Sequence, residues 1–192
     1  MKTTMVAGIA LLAATSAWGD QVLVYVDNDD IVIQQVLGHA EIIATKMFGR
    51  IGVAVDWRGG KPPRDFPGPH APIEIQVVSG TPSGYLPGAF AYAELSCRSS
   101  RIFVLADRLK TAISPEGVPA FLAHLLVHEI THVVQGVGRH SETGVMKARW
   151  DFADYSRMLS KRLEFTQFDI DLIHDRLAAP ARSCAEIQIA AQ

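Results

Sequence analysis

Three things are scarce in this chain of 192 residues: cysteine, charge of one sign, and apolar runs of membrane-spanning length. There are two cysteines, Cys97 and Cys184. Neither lies near the N-terminus, which excludes a lipid-anchored lipoprotein. The 18 basic and 20 acidic residues leave a formal net charge of −2 and are scattered rather than clustered. Nucleic acid and anionic membrane surfaces are therefore not expected as partners, because both are recognised by a basic patch or stripe. The N-terminal apolar run, residues 5–14, falls short of the roughly 20 residues that cross a bilayer. No internal repeat and no low-complexity segment is present, and the length suits one domain with its own core.

The short apolar run has a meaning of its own. Lys2 precedes it, and Ala17 and Gly19 follow as small residues before Asp20. Residues 1–19 read as a secretory signal peptide, the alternative being an uncleaved membrane anchor. The mature form is then secreted or periplasmic, with no membrane segment. In an exported protein an even pair of cysteines favours one disulfide, between Cys97 and Cys184. Two buried free thiols, or Cys97 as an inhibitory metal-binding thiol, are the competing readings.

Residues 21–27 (QVLVYVD) are rich in β-branched and aromatic side chains and read as a buried strand. Asn28, Asp29 and Asp30 offer N-caps for a helix over 31–48. Its apolar face would carry Ile33, Val36, Leu37, Ala40, Ile43, Ala44 and Met47. Further strands are expected at 53–57, 73–79 and 101–106, separated by loops rich in proline and glycine at 59–72 and 80–88. Residues 89–95 form a short, weak strand suited to a sheet edge. A helix begins around Ser114-Pro115-Glu116, with Pro119 leaving its start open. Helical pattern returns over 152–178 with a break at 165–169, and Pro180 ends it.

Chemistry concentrates in His128-Glu129-Ile130-Thr131-His132. Helix positions four apart lie one turn apart on the same face, so both imidazoles can reach a single zinc ion. Glu129 follows the first histidine, where its carboxylate can act as general base toward a zinc-activated water without ligating the metal. A catalytic zinc takes a third protein ligand and keeps one position open. Gly136 and Gly138 can end the helix and turn the chain back, which makes His140 the natural third ligand. Glu142, Glu164 and Glu186 are the alternatives. His124 stands four residues before His128, but about 12 Å of helix axis separates it from His132, too far for a shared metal. It reads as a core or supporting histidine, and His39, His70 and His174 as isolated ones.

The segment from His128 to Met146 resembles the metzincin clan of zinc peptidases, which carries H-E-x-x-H-x-x-G-x-x-H followed by a methionine-containing turn. Here seven residues rather than five separate the second and third histidines, and the glycine is displaced by one. Two extra residues must be absorbed between Gln135 and Arg139. The resemblance implies an α+β, zincin-like fold: a mixed, mostly parallel sheet with an antiparallel edge strand, an active-site helix bearing H-E-x-x-H, and a small helical C-terminal subdomain. Residues 20–192 would form one metallopeptidase domain, with an upper part over 20–136 and a lower part over 137–192. On the same resemblance His128, His132 and His140 hold one catalytic Zn2+, Glu129 is the general base and Met146 is the Met-turn residue. The edge strand, with Ala89, Phe90, Ala91, Tyr92 and Ala93, would take a substrate peptide through main-chain hydrogen bonds. Trp150 and Tyr155 are candidates for lining a side-chain pocket between the Met-turn and the C-terminal helices.

The function expected is that of a secreted zinc-dependent endopeptidase, a monomer acting on peptide or protein substrates. Two other classes stand beside it. One is a secreted metal-binding protein without turnover, against which the intact Glu129 counts. The other is a zinc amidohydrolase acting on a non-protein amide, such as a cell-wall linkage.

Overall fold

The computed structural model describes residues 20–66, 70–80, 88–95 and 100–179. The expected signal segment 1–19, Cys97, Cys184, Pro180 and Glu186 lie outside the described residues. Along the chain the elements are β1 (Gln21–Asp27), α1 (Gln34–Gly49), β2 (Ala54–Gly59), β3 (Ile73–Val78), β4 (Ala91–Glu94), β5 (Ser100–Leu105), α2 (Ala106–Ala112), α3 (Val118–Gln135), α4 (Phe152–Ser160) and α5 (Gln167–Ala178).

Alternation decides which face of the sheet is buried. Val22, Val24 and Val26 of β1 point the same way as Ile73, Ile75 and Val77 of β3, and all six are buried. β1 pairs in parallel with β2 on one side and β3 on the other, and β3 pairs in parallel with β5. β4 runs antiparallel to β5 at the end of the order β2-β1-β3-β5-β4. The fold is therefore α+β with a mostly parallel sheet and an antiparallel edge strand, as the resemblance implied. α1 and α3 pack against each other and join the same hydrophobic cluster as the buried sheet face.

α3 is buried on nearly all sides, as expected for a helix between a sheet and a second helical layer. It starts later than the sequence pattern suggests. Ser114 forms a turn whose carbonyl accepts from Gly117 and Val118, and the helix proper begins at Val118. Pro119 sits at the second helical position, where its missing N–H leaves no intrahelical bond unmade. Gly136 ends the helix in the left-handed region at φ 66°, its N–H bonding the His132 carbonyl.

Three expectations are corrected. Ala106, assigned to the last strand, opens α2, a helix the pattern did not announce because only Ala106 and Leu109 are buried in it. Ile33, assigned to the apolar face of α1, is the N-cap residue and is 72% exposed. The break in the C-terminal helical region falls between Lys161 and Thr166, slightly earlier than expected. Two capping boxes set it: Asp151 with Asp154 opens α4, and Thr166 with Asp169 opens α5.

Among the described residues no helix is long and apolar enough to cross a membrane. The segment after α3 is tied to the sheet layer through Phe165, whose ring lies 5.6 Å from that of the fully buried Phe48 on α1. Phe48→Ala removes one side of this contact and leaves a cavity, so it is expected to lower stability by about 3–5 kcal/mol in denaturant unfolding. A loss below about 1 kcal/mol would mean that the two layers are not coupled through this ring.

Candidate metal centre

α3 delivers His128 and His132 one turn apart, and the glycine turn after it brings His140 back to them. The potential ligand atoms of all three lie within 4.8 Å of one another. Ring centroids are 4.6 Å apart for His128 and His132, 5.3 Å for His128 and His140, and 4.9 Å for His132 and His140. The two α3 histidines are oriented by main-chain carbonyls. His128 Nδ1 lies 2.8 Å from Val145 O, and His132 Nδ1 lies 3.2 Å from Val137 O. A carbonyl only accepts, so both Nδ1 atoms carry the proton in the neutral rings and both Nε2 atoms present bare lone pairs. These lone pairs face each other at 3.0 Å. Two acceptors that close repel unless a cation lies between them, so the donor set fits a metal ion better than it fits an empty pocket. Three neutral imidazoles with at least one open side suit zinc.

Protonation states agree with this. Burial, with the nearby His132 and His140, pushes His128 down to about 4. Burial lowers His132 too, with His140 adding to the effect. His140 is lowered by burial and then by the Arg139 charge. All three are neutral near pH 7, the form that binds a metal. Glu129, 7% exposed, accepts no hydrogen bond among the described residues, and burial pushes its carboxyl up to about 7.

With the longer spacer His140 still lies within the histidine cluster. Val137, inside the spacer, supplies the carbonyl that orients His132. Beyond His140 the chain closes a tight turn, with Ser141 N–H donating to Met146 O at 2.8 Å and a bridge between Ser141 and Lys147. Met146 is fully buried within it. Val145 links two regions, since its carbonyl accepts from His128 while its N–H donates to Glu164 O at 2.9 Å. Gly144 makes this possible. Its φ is 78°, and a Cβ there would lie 2.2 Å from the Glu164 carbonyl oxygen. Lys147 pins the turn to α4 through Asp151 and the buried Asp154, both at 2.6 Å.

Solved structures share this architecture. Archaemetzincin from Methanopyrus kandleri superposes with a TM-score of 0.55 at 16% identity, covering 85% of this chain and 99% of that one. Metalloproteinase-II from Bacteroides fragilis superposes at 0.50 and 8% identity, covering 82% of this chain and 53% of that one. The fold is metzincin-like. No protein-family model and no curated protein matches the chain by sequence.

Within that metzincin-like frame the remaining expected residues separate into two groups. In β4, Ala91 and Ala93 pair opposite Val104 and Ile102, while Tyr92 stacks on Phe103 at 4.8 Å. The Ala89 carbonyl is held by Arg108. Phe90 turns toward α3 and meets Phe121 edge-on at 4.9 Å. Trp150 stands between Phe121 and His128, with ring centroids 5.6 Å and 5.5 Å away. Tyr155, Phe90 and Phe121 line an open apolar cavity of about 340 Å³, with Ile113, Met158 and Leu159 on its other sides. The cavity thus lies between α4 and the turn before α3, with Met146 not among its walls.

Of the alternative ligands, the two among the described residues are not brought in. Glu164 has an 82% exposed side chain, 3.9 Å from Arg50, and neither it nor Glu142 joins the histidine cluster. His124 has the supporting role assigned to it: Nδ1 lies 2.7 Å from the Ala120 carbonyl and Nε2 accepts from Leu163 N–H at 3.0 Å. His70 and His174 are satisfied by the Leu177 and Ile51 carbonyls. Sequence reasoning missed Asp169, a wholly buried carboxylate bonded to residues on either side of His140. The pattern Thr166-x-x-Asp169 announced a helix cap, but nothing local announced its second set of partners. Burial works against its charge, yet hydrogen bonds from Thr166, Ser141 and Arg139 together hold its carboxyl below the ordinary value.

Two outcomes are expected. Gly144→Ala forces a left-handed alanine against a carbonyl, costing about 2–3 kcal/mol; an unaltered unfolding midpoint would contradict the close approach. The second concerns the metal-free protein. Native Glu129 holds its proton up to about pH 7 rather than 4.5, so its ionisation in the unfolded chain lowers stability as pH rises across that window. His128 acts oppositely, since its folded value of about 4 against 6.5 makes stability fall as pH drops through that range. Metal-free Glu129→Gln should therefore gain on the wild type from pH 4.5 to 7, reaching about 3 kcal/mol, while keeping the acid-side loss. Parallel stability curves for the two proteins in urea would show that Glu129 ionises normally.

Proposed function

We propose that this chain is a zinc-dependent endopeptidase, secreted or periplasmic and monomeric, that hydrolyses peptide bonds in peptide or protein substrates. The observation that carries the reading is the pair of bare Nε2 atoms facing each other at 3.0 Å, with a third histidine in the same cluster and the buried Glu129 next to His128 on α3. The metzincin-like fold supports the hydrolase class, and residues 1–19 support export. His128, His132 and His140 would hold zinc, which when bound supplies Lewis acidity to polarise a carbonyl and acidify water.

The protein's own groups do the rest. Glu129 takes the proton of the attacking water and returns it to the leaving amine. Its carboxylate is buried on α3 directly after His128, and a carboxylate can serve in both transfers, as base and then as acid. The outer edge of β4 has no neighbouring strand among the described residues, so an extended peptide can add there through main-chain hydrogen bonds. The apolar cavity beside Phe121 suits a large aliphatic or aromatic substrate side chain. Phe121 lies seven residues before His128, about 10 Å along the helix, with Trp150 between the cavity and the metal centre.

Zinc content and cleavage of casein and peptides, compared between wild type and Glu129→Ala, test the reading. Zinc should stay bound while cleavage falls at least about 100-fold. Unchanged cleavage in Glu129→Ala would overturn it, and hydrolysis of cell-wall amides without any peptide cleavage would move the substrate to that class.

A further inference from the structure

His140 differs from the other two histidines in how it is held. Their rings are fixed by the Val145 and Val137 carbonyls. The His140 ring makes no hydrogen bond among the described residues and is solvent-exposed. Apart from its ring contacts with His128 and His132, it is held through the backbone on either side, and both neighbours end on one carboxylate from α5. Arg139 Nη1 donates to Asp169 Oδ1 at 2.8 Å. Ser141 Oγ lies 2.8 Å and 2.9 Å from Asp169 Oδ1 and Oδ2. The Arg139 guanidinium is also stacked 4.4 Å above the Phe168 ring, and Gln135, at the end of α3, donates to the Asp169 carbonyl at 3.3 Å.

Capping α5 does not account for these bonds. The cap uses Asp169 Oδ2, which accepts from Thr166 N–H at 3.1 Å and Thr166 Oγ1 at 2.6 Å, and Asp169 N–H, which donates to Thr166 Oγ1. Asp169 Oδ1 has no part in the cap, and among the described residues it serves Arg139 and Ser141 alone. A wholly buried carboxylate is costly unless its lone pairs are filled, and here half of that filling comes from the segment that carries His140. That segment is two residues longer than in the motif it resembles, so it needs an anchor of this kind more than a shorter one would.

We propose that Asp169 is a positioning residue for the third metal ligand: by clamping Arg139 and Ser141 from α5, it presents the His140 imidazole to the site formed by His128 and His132. The inference rests on the reading of His140 as a ligand. It acts on metal affinity and coordination before it acts on catalysis, because a ligand that must be ordered on binding weakens the metal complex by the cost of ordering it.

The test uses the full chain with Asp169→Asn, His140→Ala, their double variant, and Arg139→Met/Ser141→Ala, which removes both clamping donors and leaves the α5 cap intact. Zinc affinity is measured by chelator competition and the coordination geometry by the visible spectrum of bound Co2+, with circular dichroism to monitor folding. Folded Asp169→Asn and Arg139→Met/Ser141→Ala should each bind zinc about 10- to 100-fold more weakly and shift the Co2+ bands. In the His140→Ala background, Asp169→Asn should add little, because the residue it positions is gone. Wild-type affinity and spectrum in Arg139→Met/Ser141→Ala would overturn the proposal even if Asp169→Asn fails to fold. Full additivity in the double variant would also overturn it, leaving His140 as ligand but placing the effect of Asp169 elsewhere. Undiminished zinc affinity in His140→Ala would instead remove the ligand assignment, and this inference with it.

Discussion

Two imidazole lone pairs 3.0 Å apart are the constraint on which this structure turns. Left alone they repel, and the rings would rotate away from each other. They do not, because each ring is held from behind by a hydrogen bond from its Nδ1 to a main-chain carbonyl. One carbonyl belongs to the turn containing Met146 and the other to the spacer before His140. Both of those segments are in turn fastened to elements that follow them, the turn to Glu164 and α4, and the spacer to α5. The helices after the centre thus act as its back wall, and the site is complete only once that part of the chain has packed.

Burial works in the same direction on every ionisable group here. It keeps the histidines neutral, as a metal requires, and it keeps Glu129 protonated to a higher pH than a surface carboxylate. In the absence of a cation each effect opposes folding in its own range, that of His128 as pH falls below 6.5 and that of Glu129 as pH rises above 4.5, since a buried base and a buried acid each resist their charged form. Such frustration is a common mark of a functional site, where local stability is given up for chemistry.

The helix motif was legible because its logic is local. Residues four apart meet on any α-helix, so His128, His132 and the adjacent Glu129 could be grouped without knowing anything else about the fold. Gly136, at the end of the periodic run, signalled the turn that returns His140. β1, α1, β3 and β5 were legible for a similar reason, since periodic burial shows in each. α2 was not, because a helix with two buried residues leaves no apolar stripe to read. The start of α3 was blurred by a proline that is harmless in a first turn and disruptive anywhere later.

By itself, then, the sequence determined which side chains could form the centre and that a turn would carry the third one back, because helix periodicity and glycine's left-handed freedom act over a few residues. Only the tertiary structure decided what holds those side chains still. Val145 lies 17 residues from His128, and Asp169 lies 30 from Arg139 and 28 from Ser141. Hydrogen bonds across such separations depend on how α4 and α5 pack against α3. That packing is a property of the whole core, and no local pattern encodes it.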